Sequence, residues 1–352
     1  MRVPVLKRSL FLATALAVAS VFAGAAGAHT SAPAAAVPPI AWVLSPPSGT
    51  TLLGGVNRPT TFTVRAVDKV RTAKIHIAAA TPLPAGAALG VRDGNPAVAT
   101  FSWTATVAGD YTVTLSATDD LPIPVSAPAY TINIHVQAGP ETVQLSGGPD
   151  NVSRWAYVRK PAVVRAGPST KAKIVGRLGV WTPENFPNLA LALQQVVDVS
   201  NGTWVQVRLA KLPNNSTGWV KRGFLGPFHS VTTHLIVDRT ALRATLYKDG
   251  LPVFQTIIGV GRSYWPTPRG EFYIREKITG FRDPMYGPIA FGTSARSAVL
   301  TDWPGGGFIG IHGTNQPSIL PGRVSHGCIR MRNPSILNLA RMLPVGTPLT
   351  VK

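Results

Sequence analysis

At 352 residues the chain has room for two or three domains, each large enough for its own core. An apolar fraction of 45% against 14% charged residues excludes disorder as a whole, and 34 glycines with 32 prolines suit short strands and many turns. The expected class is mainly β. Net charge is +19, concentrated in the back of the chain: residues 29–149 balance to zero, while 150–231 and 232–352 each carry +8. That suits an anionic partner such as an acidic wall polymer, whereas the basic residues are scattered singly without a nucleic-acid motif, so no nucleic-acid partner is expected.

The N-terminus carries Arg2, Lys7 and Arg8, then an apolar run from Leu10 that ends in Ala26-Gly27-Ala28. This fits a signal peptide over 1–28 with export from the cytoplasm; if the run stays uncleaved it is a membrane anchor. An Ala/Pro-rich linker follows at 29–39. From 40 to 138 the stretches 61–67, 74–77, 100–103, 111–115 and 130–136 alternate with period two, predicting an antiparallel sandwich. Gly109-Asp110-Tyr111-Thr112-Val113-Thr114-Leu115-Ser116-Ala117-Thr118-Asp119 resembles the closing strands of bacterial immunoglobulin-like domains.

A second linker is expected at 139–151, rich in Gly and Pro. Beyond it, Val164-Arg165-Ala166-Gly167-Pro168-Ser169, Trp204-Val205-Gln206-Val207 and Gly218-Trp219-Val220 resemble, in order, the pieces of a bacterial SH3-like barrel over 152–228. The resemblance implies wall-peptide binding or support of a neighbouring catalytic domain. Trp204 and Trp219 also fit as plain core aromatics.

The last segment, 232–351, opens with a predicted meander: His234 to Asp238, Ala241 to Tyr247, an Asp249-Gly250 turn, then a strand through Gly261. Phe308-Ile309-Gly310-Ile311 reads as a short strand delivering His312, and Cys328 lies sixteen residues on. Asn333 is expected to cap a helix with Pro334 at its first position and Ile336, Leu339, Ala340 and Leu343 as its apolar stripe. The loop Gly305-Gly306-Gly307 is not a phosphate cradle, and the seven histidines do not cluster at metal spacing, so neither metal nor other cofactor is expected.

Cys328 is the only cysteine, so an internal disulfide is excluded. It is either a buried small hydrophobe or a reactive thiol. A free thiol titrates near ~8.5, so a nucleophile needs a base or a positive field. His326, two residues away, and His312, from another strand, are both candidates on spacing alone.

Ile311-His312-Gly313-Thr314 followed by Ser325-His326-Gly327-Cys328-Ile329-Arg330-Met331 resembles the signature of the L,D-transpeptidase (YkuD-type) catalytic domain. Thr267-Pro268-Arg269-Gly270-Glu271-Phe272 and Tyr286-Gly287 match further elements of that family. The resemblance implies Cys328 as nucleophile, His312 as its base held by the Gly313 carbonyl, and His326 as a structural neighbour. It also implies an oxyanion hole from the Gly327 and Cys328 N–H groups, and Ser325, Arg330 and Tyr286 on the substrate side. The implied substrate is a peptidoglycan stem peptide: the thiol attacks after the third residue of a tetrapeptide, releases D-alanine, and passes the acyl group to an amine as a 3→3 cross-link. Hydrolysis of the same intermediate would make an L,D-carboxypeptidase, and carbapenems are implied to acylate Cys328. A papain-like endopeptidase is disfavoured because no histidine follows Cys328. The non-catalytic alternative is a wall-binding protein with an inert terminal domain.

Overall fold

The structure, a computed structural model, describes residues 40–43, 46–147, 151–280, 283–300 and 307–352. The expected signal peptide, the 29–39 linker, the Gly305-Gly306 pair and residues 148–150 of the second linker lie outside the described residues.

Eight strands come first: β1 (Ile40–Val43), β2 (Thr51–Gly55), β3 (Pro59–Asp68), β4 (Ile75–Ala79), β5 (Ala88–Arg92), β6 (Ala97–Thr104), β7 (Gly109–Asp119) and β8 (Tyr130–Gln137). They pair into two four-stranded sheets, ordered β1-β3-β6-β5 and β2-β8-β7-β4. Ala97, Ala99, Phe101 and Trp103 on β6 all point inward at period two, and Phe62 stacks on Phe101 with centroids 4.9 Å apart. One expectation is corrected: the sandwich is not wholly antiparallel, because β2 runs parallel to β8. The adjacent leucines and glycines of β2 interrupt the alternation by which such strands are read.

The middle sheet holds β9 (Glu141–Gln144), β10 (Ser153–Tyr157), β11 (Ala162–Arg165), β12 (Ile174–Leu178), β13 (Leu189–Asp198), β14 (Gly202–Arg208), β15 (Thr217–Lys221) and β16 (His229–Val231). Its order is β12-β11-β15-β14-β13-β10-β16, with β9 also on β13. Part of the expected second linker is thus sheet: Thr142 and Val143 pair with Val196 and Gln195, and Leu145 is buried. Trp204 and Trp219 are buried core aromatics.

The last sheet contains β17 (Thr233–Asp238), β18 (Arg243–Lys248), β19 (Leu251–Ile257), β20 (Gly259–Gly261), β21 (Gly270–Thr279), β22 (Ile289–Arg296), β23 (Phe308–His312), β24 (Gly322–Ser325), β25 (Ile329–Arg330) and β26 (Pro348–Val351). Helix α1 (Asn333–Met342) follows β25. The order is β19-β18-β17-β26-β21-β22-β23-β25-β20-β24. Asp249 and Gly250, at φ 52° and 79°, make the expected hairpin turn. The third meander strand, however, stops at Ile257, and β20 crosses to pair with β24 and β25. Glycine makes that crossing possible: a Cβ on Gly261 would lie 2.1 Å from the Trp265 carbonyl oxygen.

The middle and last sheets dock directly. Trp155, Leu189, Leu191 and Val231 form one apolar cluster with Tyr273 of β21, whose hydroxyl donates to the Leu189 carbonyl at 3.2 Å. Asn214 exchanges two hydrogen bonds with the Arg296 backbone, and Asn215 accepts from the Glu271 N–H.

Candidate active site

Strands β23 and β25 run parallel in register, Ile311 beside Ile329 and His312 beside Arg330. Side chains alternate along each strand. Ile309, Ile311, Ile329 and Met331 enter the core, so Phe308, Gly310, His312, Cys328 and Arg330 share the opposite face. On that face Cys328 and His312 line one pocket, together with Tyr286, Phe308 and Arg330. The register therefore brings together the thiol and the imidazole that spacing alone left unpaired.

His326 lines the same pocket but lies beyond the turn rather than on the strand face. Gly327, at φ +120°, turns the backbone, and His326 leans on Trp265 with centroids 4.1 Å apart. Partial burial, then Arg262 and Arg330, holds His326 below the ordinary imidazole range.

His312 is buried and its Nδ1 lies 2.6 Å from the Gly313 carbonyl oxygen. A carbonyl only accepts, so Nδ1 carries the hydrogen and Nε2 keeps a free lone pair. Burial brings the His312 pKa down to about 4; the Gly313 bond opposes this and the Arg330 charge adds to it. Cys328 is partly exposed as a residue, yet the packing around its sulfur pushes the thiol up. The backbone N–H of Gly310, 3.3 Å from Sγ, and Arg330 act in the other direction. The pair thus rests as neutral thiol and neutral imidazole. Sequence reasoning missed Gly310, and the available signal was a glycine inside a strand, two residues before His312, where backbone can approach closely.

The turn before Cys328 is cross-braced. Ser325 Oγ donates to the Cys328 carbonyl at 2.6 Å and accepts from the Gly327 N–H at 3.1 Å. Ser325 is buried, so its hydroxyl builds the turn and is not free for substrate. Of the two expected oxyanion donors, Gly327 N–H is engaged by Ser325 Oγ. Thr267 Oγ1 donates to the Gly327 carbonyl at 2.6 Å and accepts from Gly261 N–H at 2.9 Å.

Asn333 does not cap the helix; Arg332 occupies that position, with Asn333 first and Pro334 second. The Asn333 amide oxygen instead accepts from Thr314 N–H at 2.9 Å, tying α1 to the loop after His312. Gly287 and Gly313 pack against the same amide, where a Cβ on either would lie within 2.5 Å of its oxygen. Tyr286 faces His312 at 5.1 Å between centroids. Arg330 has its Nε buried without a partner, and no carboxylate of the described residues pairs with it. Among the described residues no three His, Cys, Asp or Glu side chains converge as metal ligands.

Residues 232–351 match the model of the L,D-transpeptidase catalytic domain, YkuD. The chain is 36% identical over 123 residues to YkuD of Bacillus subtilis (strain 168), named as an L,D-transpeptidase; the match covers 35% of this chain and 68% of that protein. The Bacillus licheniformis protein of the same name is 40% identical over 94 residues, covering 27% of this chain and 50% of its own length. The catalytic domain of the E. faecium L,D-transpeptidase, solved by NMR, is 27% identical over 34% of this chain and 96% of that one, with a TM-score of 0.26. The chain thus spans about two thirds of one curated relative and half of the other, and the sequence matches carry the kinship.

Proposed function

The chain belongs to the L,D-transpeptidase (YkuD) family, and on that premise we propose that it is a peptidoglycan acyltransferase with Cys328 as nucleophile and His312 as base. The supporting observation is the β23–β25 register, which sets both side chains on one face of one pocket.

Because thiol and imidazole rest neutral, the sulfur's proton passes to His312 Nε2 as Sγ attacks the carbonyl after the third stem residue. Gly310 N–H steadies the forming thiolate, and Cys328 N–H receives the developing oxyanion. The imidazolium returns the proton to the amine of D-alanine as the C–N bond breaks, leaving a thioester. An amine from a second stem then attacks, loses its proton to His312, and expels the thiolate, giving the 3→3 cross-link. The unpaired Arg330 suits the terminal carboxylate of the donor, one residue beyond the scissile bond. The same reading makes 1–28 an export signal, places the protein at the wall, and takes 40–138 as an immunoglobulin-like spacer and 152–228 as SH3-like support.

The test is incubation with a disaccharide-tetrapeptide and mass spectrometry of the products. Cys328→Ala should abolish both D-alanine release and dimer formation. His312→Ala should cost about 10²-fold or more in turnover. Release of D-alanine without dimer would make the protein a carboxypeptidase. Equal losses from His312→Ala and from a substitution in the middle sheet would refute the base assignment.

A further inference from the structure

A second cleft lies where the middle sheet meets the last one. It holds about 280 Å³ and draws Arg177, Trp181 and Lys211 from one side and Arg275, Arg296 and Phe308 from the other. Its lining carries four cations and no carboxylate. Arg275 is buried; its Nη2 pairs with Glu184 at 2.7 Å, its Nε lies 3.5 Å from Glu276, and its Nη1 has no partner. A buried charged donor left unmatched is costly, and an anion entering the cleft would satisfy it.

Phe308 is the partition between this cleft and the catalytic pocket, for its side chain lines both. The guanidinium carbons of Arg275 and Arg296 stand 3.9 and 4.6 Å from its ring centre. Trp181, 59% exposed, offers a flat apolar surface at the rim.

We propose that this cleft is the acceptor subsite, holding the carboxylate end of the second stem peptide while its side-chain amine reaches over Phe308 toward Cys328. The inference rests on the transfer reaction proposed above. The donor's carboxylate lies one residue from the scissile bond, so it belongs beside Arg330 in the catalytic pocket. The incoming stem's terminal carboxylate is separated from its reacting amine by a whole side chain, which suits a site on the far side of Phe308.

The experiment titrates a disaccharide-tripeptide, which has no terminal D-alanine to lose, into the full chain bearing Cys328→Ala. Calorimetry should show the Kd rising about tenfold when Arg177→Ala and Lys211→Ala are added, with melting temperature unchanged. The C-terminal amide of the tripeptide should bind the parent as weakly as the acid binds the triple variant. Equal Kd values for parent and triple variant, or for acid and amide, would overturn the proposal. Failure of the unsubstituted chain to release D-alanine from a tetrapeptide would instead sink the reaction and leave these binding results standing.

Discussion

Thr267 Oγ1 donates to the carbonyl of Gly327, so the turn that carries Cys328 is pinned by a residue sixty positions upstream. The same hydroxyl accepts from Gly261 N–H, which joins β20 to the turn. Thr267→Val keeps the shape and removes the hydroxyl, leaving two buried backbone groups unmatched at about 1–3 kcal/mol. Thiol alkylation at Cys328 should slow about tenfold or more, and Thr267→Ser should restore it.

With His312 as the proposed base, its neutral state sets the acid limit of the proposed activity. A base must be unprotonated, so the acid limb of thiol reactivity should fall near pH 4, well below the ordinary imidazole range. Thermal stability should respond across a different window. With a folded pKa of about 4 against ~6.5 unfolded, the group's contribution is complete above ~6.5 and lost as pH falls toward 4. His312→Gln should flatten that slope in melting curves.

Glu276 carries the opposite sign. Burial, reinforced by Glu184 and opposed by Arg275, raises its pKa to about 7. Its neutral form is the one the fold accepts, so its contribution is complete below ~4.5 and lost as pH rises to about 7. Glu276→Gln should raise the melting temperature at pH 8 by a few degrees relative to the parent, with a smaller difference at pH 5. An unchanged difference across that range would contradict the buried-acid assignment.

Gly346 sits at φ +80°, and a Cβ there would lie 2.1 Å from Trp155 in the middle sheet. Gly346→Ala should destabilise the chain by about 2 kcal/mol or more through strain and displaced packing. Denaturant unfolding would measure the loss.

The compact strings S-H-G-C and H-G-T single out Cys328 and His312, which the structure places on the lining of one pocket, and the apolar strand before His312 shows in its isoleucines. The helix after Cys328 was legible from its stripe. What escaped were backbone donors and crossings. The Gly310 N–H that meets Sγ has no side chain to announce it, and Ser325 reads as substrate-facing until its two turn bonds are seen. Asn333 matches a cap by propensity, but the Thr314 N–H recruits its amide first, a tertiary partner overriding a local one. Glu141–Gln144 passed as linker because its flanking Gly and Pro hid four residues whose pairing depends on β13.

β26 lies between β17 and β21, with Leu349 beside Leu235 on one flank and Phe272 on the other. The two halves of the sheet are therefore stitched together by four residues near position 350, more than a hundred places from β17 and about eighty from β21. Such distant pairing makes assembly slow and all-or-nothing. A growing chain that already contains Cys328 still lacks the seam that steadies its scaffold, so reactivity should arise only once synthesis has passed β26. A protein built this way keeps its one thiol quiet until the work is finished.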